Sequence, residues 1–136
     1  MTDAEFECRT NQHVSEFKGD VLVGGLGLGM VVEMMLRNRD VSGITVIEIN
    51  GDVIGLVGPY FSDKRVKIKK GNVFSQKPPR ASFDYVYMDI WSNVPNEDNL
   101  KELKRLRARY EPGLKPGGEF RAWCEDRFWS RERRKT

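Results

Sequence analysis

The run Val21-Leu22-Val23-Gly24-Gly25-Leu26-Gly27-Leu28-Gly29-Met30 carries the strongest chemical signal in the chain. Small and apolar residues lead into glycines spaced by two, and an apolar pattern of helical period follows at once. That is the pattern of a buried strand turning sharply into a helix beneath a nucleotide-like ligand. Glycine suits the turn because the backbone takes unusual angles there and the ligand must come close to the main chain. Amides at the start of the helix then offer donors to the polar part of the ligand. Further on, Glu48 closes an apolar stretch, where a carboxylate can accept hydrogen bonds from both hydroxyls of a ribose. Asp89 with Trp91 pairs a carboxylate with an aromatic face, a combination suited to a cationic group.

Spacing narrows the ligand. The dinucleotide pattern G-x-G-x-x-G begun at Gly25 needs glycine where Met30 stands, and begun at Gly27 it needs glycine where Val32 stands. The phosphate-cradling loop that ends in Gly-Lys-Ser/Thr is absent. A nicotinamide-dependent oxidoreductase therefore fits poorly.

The elements that must position these residues alternate between strand and helix. Val21–Gly24 is a continuous apolar run of the kind buried on both faces of a parallel sheet. Leu28, Val31, Val32, Met35 and Leu36 recur on one helical face, which also accounts for the Met34-Met35 pair. Ile44–Ile49 is a second, β-branched strand ending near the Glu48 carboxylate, and a shorter helix over Asp52–Val57 stops at Gly58-Pro59. Arg65–Lys69 alternates strictly, which predicts a strand with one wet face at the sheet edge. After a loop over Ser75–Ser82, Phe83–Asp89 is the fourth strand. Pro95-Asn96-Glu97-Asp98 opens a helix with capping and acidic residues in place. That helix runs to about Tyr110 and buries Leu100, Leu103, Leu106 and Tyr110; a fifth strand follows over Phe120–Cys124. The alternation predicts an α/β fold, a doubly wound parallel sheet with right-handed crossovers. The order 3-2-1-4-5 puts a switch point between the first and fourth strands, with ligands at their carboxyl ends. On this reading 1–19 is a lead-in segment, 20–125 the folded domain and 126–136 a basic tail.

The G-x-G-x-G of Gly25, Gly27 and Gly29 resembles motif I of the class I S-adenosylmethionine-dependent methyltransferases. The doubled Gly24-Gly25 is similar in particular to the spermidine-synthase-like branch. Val46-Ile47-Glu48-Ile49-Asn50 looks like the acidic motif that ends strand two in that superfamily. Gly71-Asn72-Val73-Phe74 stands where the family often has Gly-Asp to recognise adenine, although an asparagine there also reads as a plain turn residue. Phe83–Trp91 resembles the strand-four motif, and Leu114-Lys115-Pro116-Gly117-Gly118 the turn before strand five. The matches extend over residues 20–124 in family order. The resemblance implies a Rossmann-like fold and S-adenosylmethionine as cofactor, with S-adenosylhomocysteine as product. It also implies a cofactor-binding set of Gly25, Leu26, Gly27, Gly29, Glu48, Ile49, Asn72, Val73 and Asp89. Asp89 is the candidate catalytic residue, orienting the acceptor or taking its proton, with Ser92 or Asn93 to assist. Methyl transfer otherwise asks mainly that nucleophile and methyl group be held in line.

Departures from the family are informative. Val23 stands where motif I usually begins with an acidic residue. Ser92 stands where spermidine synthases carry a second aspartate to deprotonate the amine, and the chain has no room for their N-terminal β-domain. The sheet is expected to stop after strand five, lacking the usual last two strands. Aminopropyl transfer is thus disfavoured. The leading reading is methyl transfer to an unidentified acceptor. A non-catalytic Rossmann-like binding or assembly module and a reduced spermidine-synthase-like protein stand beside it. The bare sheet edge makes a homo-oligomer plausible.

Composition agrees with one soluble domain. The chain has 136 residues, 39% hydrophobic and 32% charged. Val21–Val32 is too short to span a bilayer, and no leader precedes a cleavage site, so a cytoplasmic protein without a membrane partner is expected. Cys8 and Cys124 lack metal-ligand spacing and read as reduced, buried thiols, and no metal is expected. His13 reads as a surface or packing histidine. The net charge of +3 is uneven, with 12 Lys/Arg against 6 Asp/Glu over residues 100–136. Such a basic end is read first as a solvated helix face and tail. The arginine-aromatic mix over Arg127–Lys135 makes nucleic acid a lesser alternative.

Overall fold

The computed structural model describes residues 12–91 and 97–123. The expectations for Cys8, the His13 side chain, Ser92, Asn93, Pro95, Asn96, Cys124 and the basic tail lie outside the described residues. Five strands form one sheet: β1 (Gly19–Gly24), β2 (Val41–Glu48), β3 (Val66–Lys70), β4 (Phe83–Met88) and β5 (Leu114–Ala122). Every pairing is parallel and the order is β3-β2-β1-β4-β5, as the alternation of elements predicts. The chain winds outward from β1 to β3 and then returns to the other side of β1 for β4 and β5. β1 is central, and Val21, Leu22 and Val23 are buried on both faces.

Among the described residues, three α-helices join the strands: α1 (Met30–Leu36), α2 (Gly51–Val57) and α3 (Glu97–Tyr110). α1 buries Val31, Val32 and Met35; α3 buries Leu100, Leu103, Leu106 and Tyr110, the face its periodicity marks out. Leu28 departs from expectation. The helix begins only after Gly29, whose φ of 82° breaks the helical run, so Leu28 sits in the turn and is 86% exposed. The edge strand β3 has Lys67, Lys69 and Lys70 exposed between half-buried Val66 and Ile68, the wet face that strict alternation implies.

The stretch ahead of β1 contributes to the same core. Val14 and Phe17 are buried, and the Phe17 ring stacks on Tyr85 at a centroid separation of 4.2 Å. Asn38 holds this stretch by donating from its side-chain amide to the Phe17 carbonyl at 2.6 Å. Arg65 ties the end of α1 to the start of β3, donating to the carbonyls of Leu36, Asn38 and Val41. Its pairing with Asp63 holds that carboxyl below the usual range.

The amino-terminal ends of β1, β4 and β5 are joined by charge. Lys115 Nζ lies 3.1 Å from Asp20 Oδ2 and 3.2 Å from Asp84 Oδ2, and the Asp20 amide donates to Asp84 at 2.8 Å. β5 starts earlier than Phe120. Leu114 already pairs with Phe83, but the next pair is Glu119 with Tyr85, so Lys115–Gly118 is extruded from the ladder. Gly117 at φ 82° makes the reversal. Among the described residues, no strand lies beyond β5.

Candidate functional site

The sheet comes apart at its carboxyl end between β1 and β4. Their last paired residues are Gly24 and Met88. Immediately afterwards Gly25 turns toward β2, its amide donating to the Ile47 carbonyl at 2.8 Å, while the Asp89 amide donates to the Gly24 carbonyl at 2.7 Å. A cleft of about 650 Å³ opens over this divergence, at the switch point of the strand order.

The glycine turn forms the floor. Gly25 has φ 96°, and a Cβ there would run into the Asp89 carbonyl oxygen, so the two chains approach as closely as they do only because position 25 has no side chain. Gly27 has φ 51°, and a Cβ there would have nothing within 4 Å, so it leaves its side of the turn open to the cleft. Gly29 does not line the cleft. It stands behind it as the residue before α1, with the Phe61 ring packed against it.

Glu48 is the one charged side chain buried among the described residues, at 8% exposure. Its placement is fixed from two sides. Oε1 accepts from the Leu26 amide at 2.8 Å and Oε2 from the Asn50 amide at 2.9 Å. Asn50 in turn caps α2, its Oδ1 accepting from the Asp52 amide at 2.9 Å. Each carboxylate oxygen has a second lone pair, so a carboxylate held in this way still accepts from a ligand. Ile49, next to it, is 63% exposed and forms an apolar rim.

Asn72 and Val73 bring the end of β3 into the same cleft. Asn72 also satisfies the plain turn reading, because its Oδ1 accepts from the Phe74 amide at 2.9 Å and its carbonyl from the amides of Ser75 and Gln76. Val73 is buried and its carbonyl accepts from the Tyr110 hydroxyl at 2.7 Å. Burial pushes that phenol up to about 12. Asp89 lines the cleft on the β4 side with Ile90 and Trp91. Leu26, Glu48, Ile49, Asn72, Val73 and Asp89 therefore converge with Gly25 and Gly27, while Gly29 supports the turn.

The cleft residues that a reading of the sequence does not assign to the site include Leu28, Phe74 and Glu102. Leu28 was expected on a helix face, and the positive φ of Gly29 that displaces it leaves no periodic trace. Phe74 closes the Gly71–Phe74 stretch, but its residue type alone does not mark it as a cleft residue. Glu102 sits on the polar side of an amphipathic helix, where glutamate carries no positional information.

The charge in the cleft is of one sign. Among the described residues, its lining includes Glu48, Asp89 and Glu102 and no Lys, Arg or His. Such a site favours a cationic ligand and repels phosphate. Among the described residues, no three His, Cys, Asp or Glu side chains are grouped to hold a metal ion. No helix among them is long and apolar enough to cross a membrane.

No protein-family profile matches the chain. Solved structures do. An S-adenosylmethionine-dependent methyltransferase from Mesorhizobium loti superposes with a TM-score of 0.67 at 17% identity, over 85% of this chain and 51% of its own. Spermidine synthase from Thermotoga maritima matches with a TM-score of 0.67 at 23% identity, over 87% of this chain and 43% of its own. A spermidine synthase in complex with the transition-state analogue AdoDATO matches at 24% identity and a TM-score of 0.67, over 87% and 45% of the two chains. The chain thus spans about half the length of the structures it matches. Sheet order, helical cover and these superpositions agree: the chain has the Rossmann-like fold of class I S-adenosylmethionine-dependent methyltransferases, a fold that spermidine synthases share.

Proposed function

We propose that the cleft binds S-adenosylmethionine and that the domain presents the methyl group to an acceptor. The observation that carries this reading is the Glu48 carboxylate, buried at the end of β2 and hydrogen-bonded to the glycine turn through the Leu26 amide. A ribose laid across that turn meets an acceptor pair for its two hydroxyls. Among the described residues the charged lining is carboxyl only, which supports a sulfonium ligand over a pyrophosphate one. In this reading Gly25 and Gly27 let the ligand approach the backbone, Ile49 packs against it, and Asp89 orients the acceptor or takes its proton. Because the sulfonium already activates the carbon, holding nucleophile and methyl group in line is the main catalytic task.

A second reading has its own support. A cleft with carboxylates and, among the described residues, no lining cation suits decarboxylated S-adenosylmethionine, which keeps the ammonium and sulfonium charges and lacks the carboxylate. The likeness to spermidine synthases points the same way. Isothermal titration with S-adenosylmethionine, its decarboxylated form, S-adenosylhomocysteine and NADH separates the alternatives. Roughly micromolar binding of S-adenosylhomocysteine and none of NADH is expected. A marked preference for the decarboxylated cofactor favours aminopropyl chemistry. Absence of heat with all three adenosyl compounds leaves a non-catalytic module.

A further inference from the structure

Glu102 belongs to a stripe on α3 that grips the loop after β3. Positions 102, 105 and 109 follow one another along one side of the helix. Arg105 lies over the Phe74 ring at 5.2 Å, and Arg109 donates to the Gln76 carbonyl at 2.9 Å. Tyr110 adds its bond to the Val73 carbonyl at 2.7 Å. With these contacts fixing helix against loop, Glu102, one turn before Arg105, lines the same cleft as Asn72 and Phe74. Its Oε1 accepts from the Asn99 side-chain amide at 3.2 Å, which steadies the carboxylate and leaves it further acceptor capacity.

The order of the sheet says which part of a ligand passes this point. The glycine turn follows β1, Glu48 ends β2, and Gly71–Phe74 follows β3, the next strand outward. A ligand with its ribose on Glu48 and its tail over the glycine turn extends its base toward the loop after β3. There the Asn72 side-chain oxygen is already bonded to the Phe74 amide. Glu102, on the helix clamped to that loop, supplies a charged acceptor in the same cleft.

We propose that Glu102 determines base specificity, its carboxylate accepting a hydrogen bond from the exocyclic amino group of a 6-aminopurine. This deepens the reading of the cleft as an adenosyl site and rests on it. A 6-oxopurine presents an oxygen at the same place and is repelled.

Titration calorimetry of the wild-type chain, Glu102→Gln and Glu102→Ala with S-adenosylhomocysteine and S-inosylhomocysteine tests the assignment. Wild type is expected to prefer the adenosyl compound. Glu102→Ala is expected to lose about tenfold in affinity for it, as suits a hydrogen bond to a charged group, and to bind the inosyl compound more tightly than wild type does, because the repelling carboxylate is gone. Glu102→Gln, whose amide oxygen still accepts, falls between. Equal losses for both ligands indicate a merely structural role and overturn the proposal, as does unchanged affinity of Glu102→Ala for S-adenosylhomocysteine. A wild-type chain that binds neither compound overturns the adenosyl-site reading itself and this assignment with it.

Discussion

The Glu48 carboxylate reaches back from the end of β2 to accept the Leu26 amide at 2.8 Å, binding the acidic residue to the glycine turn. One side chain therefore shapes the turn and also faces the cleft. Glu48→Gln keeps one acceptor oxygen but sets an amide NH₂ against a backbone donor. It is expected to destabilise the fold by about 1–3 kcal/mol and to weaken S-adenosylhomocysteine by at least about tenfold. Urea melts and titration calorimetry measure the two effects separately, and unaltered binding by the folded variant removes the ribose assignment.

The glycines of the turn differ in what they protect. Gly25→Ala meets the Asp89 carbonyl at a positive φ, so it is expected to cost more than the roughly 1–2 kcal/mol of a left-handed alanine. Gly27→Ala pays only the backbone term, because the space around it is open. It is expected to fold within about 2 kcal/mol of wild type yet to bind S-adenosylhomocysteine poorly, since its methyl group enters the cleft. Thermal melts paired with binding isotherms distinguish the two variants.

Tyr110 links the long helix to the cleft wall. Tyr110→Phe leaves the buried Val73 carbonyl without its donor and is expected to cost about 1–3 kcal/mol. Ligand affinity is expected to fall modestly as the Val73 turn loosens. The raised value of about 12 against the ordinary 10.0 makes the wild-type contribution complete below pH 10 and lost as pH rises through 12. Wild type and Tyr110→Phe should therefore converge in stability only in strong alkali, which pH-dependent denaturant melts check.

The charge cluster at the opposite end of the sheet sets a pH window. Asp84 is held below its ordinary 3.8, first by the Asp20 amide and then by Lys115, while Lys115 is raised above 10.5 by its hydrogen bonds to Asp20 and Asp84. The aspartate contribution is present above 3.8 and lost as pH falls through the lower folded value. The lysine contribution is present below 10.5 and lost as pH rises through the higher folded value. Asp84→Asn is expected to lower the melting temperature most near neutrality, with the gap to wild type closing at both extremes. A constant gap from pH 3 to 7 contradicts this account.

Much of the architecture is legible in the sequence because it rests on long-range repetition. The apolar runs of β1, β2 and β4, the wet alternation of β3 and the apolar face of α3 each report their burial directly. Glu48 is legible for a related reason, as a carboxylate placed where an apolar strand ends. Residues placed by tertiary geometry are not. Leu28 shares the spacing of a helical residue, and only the backbone angle at Gly29 moves it into the turn. The extrusion of Lys115–Gly118 depends on register with β4, which no local pattern encodes. Glu102 reaches the cleft because Arg105, Arg109 and Tyr110 clamp the helix onto a loop distant in sequence.

Where Gly24 parts from Met88, four adjacent strands supply the seat largely through main chain and one anchored acid, with little left to swinging side chains. An occupant would consequently brace the rim of the whole sheet at once, and its grip would register as heat resistance. At a hundredfold excess over its dissociation constant, such a compound adds about 2.7 kcal/mol to the native state. Melting curves across a panel of nucleosides thus become a way to learn what this domain carries.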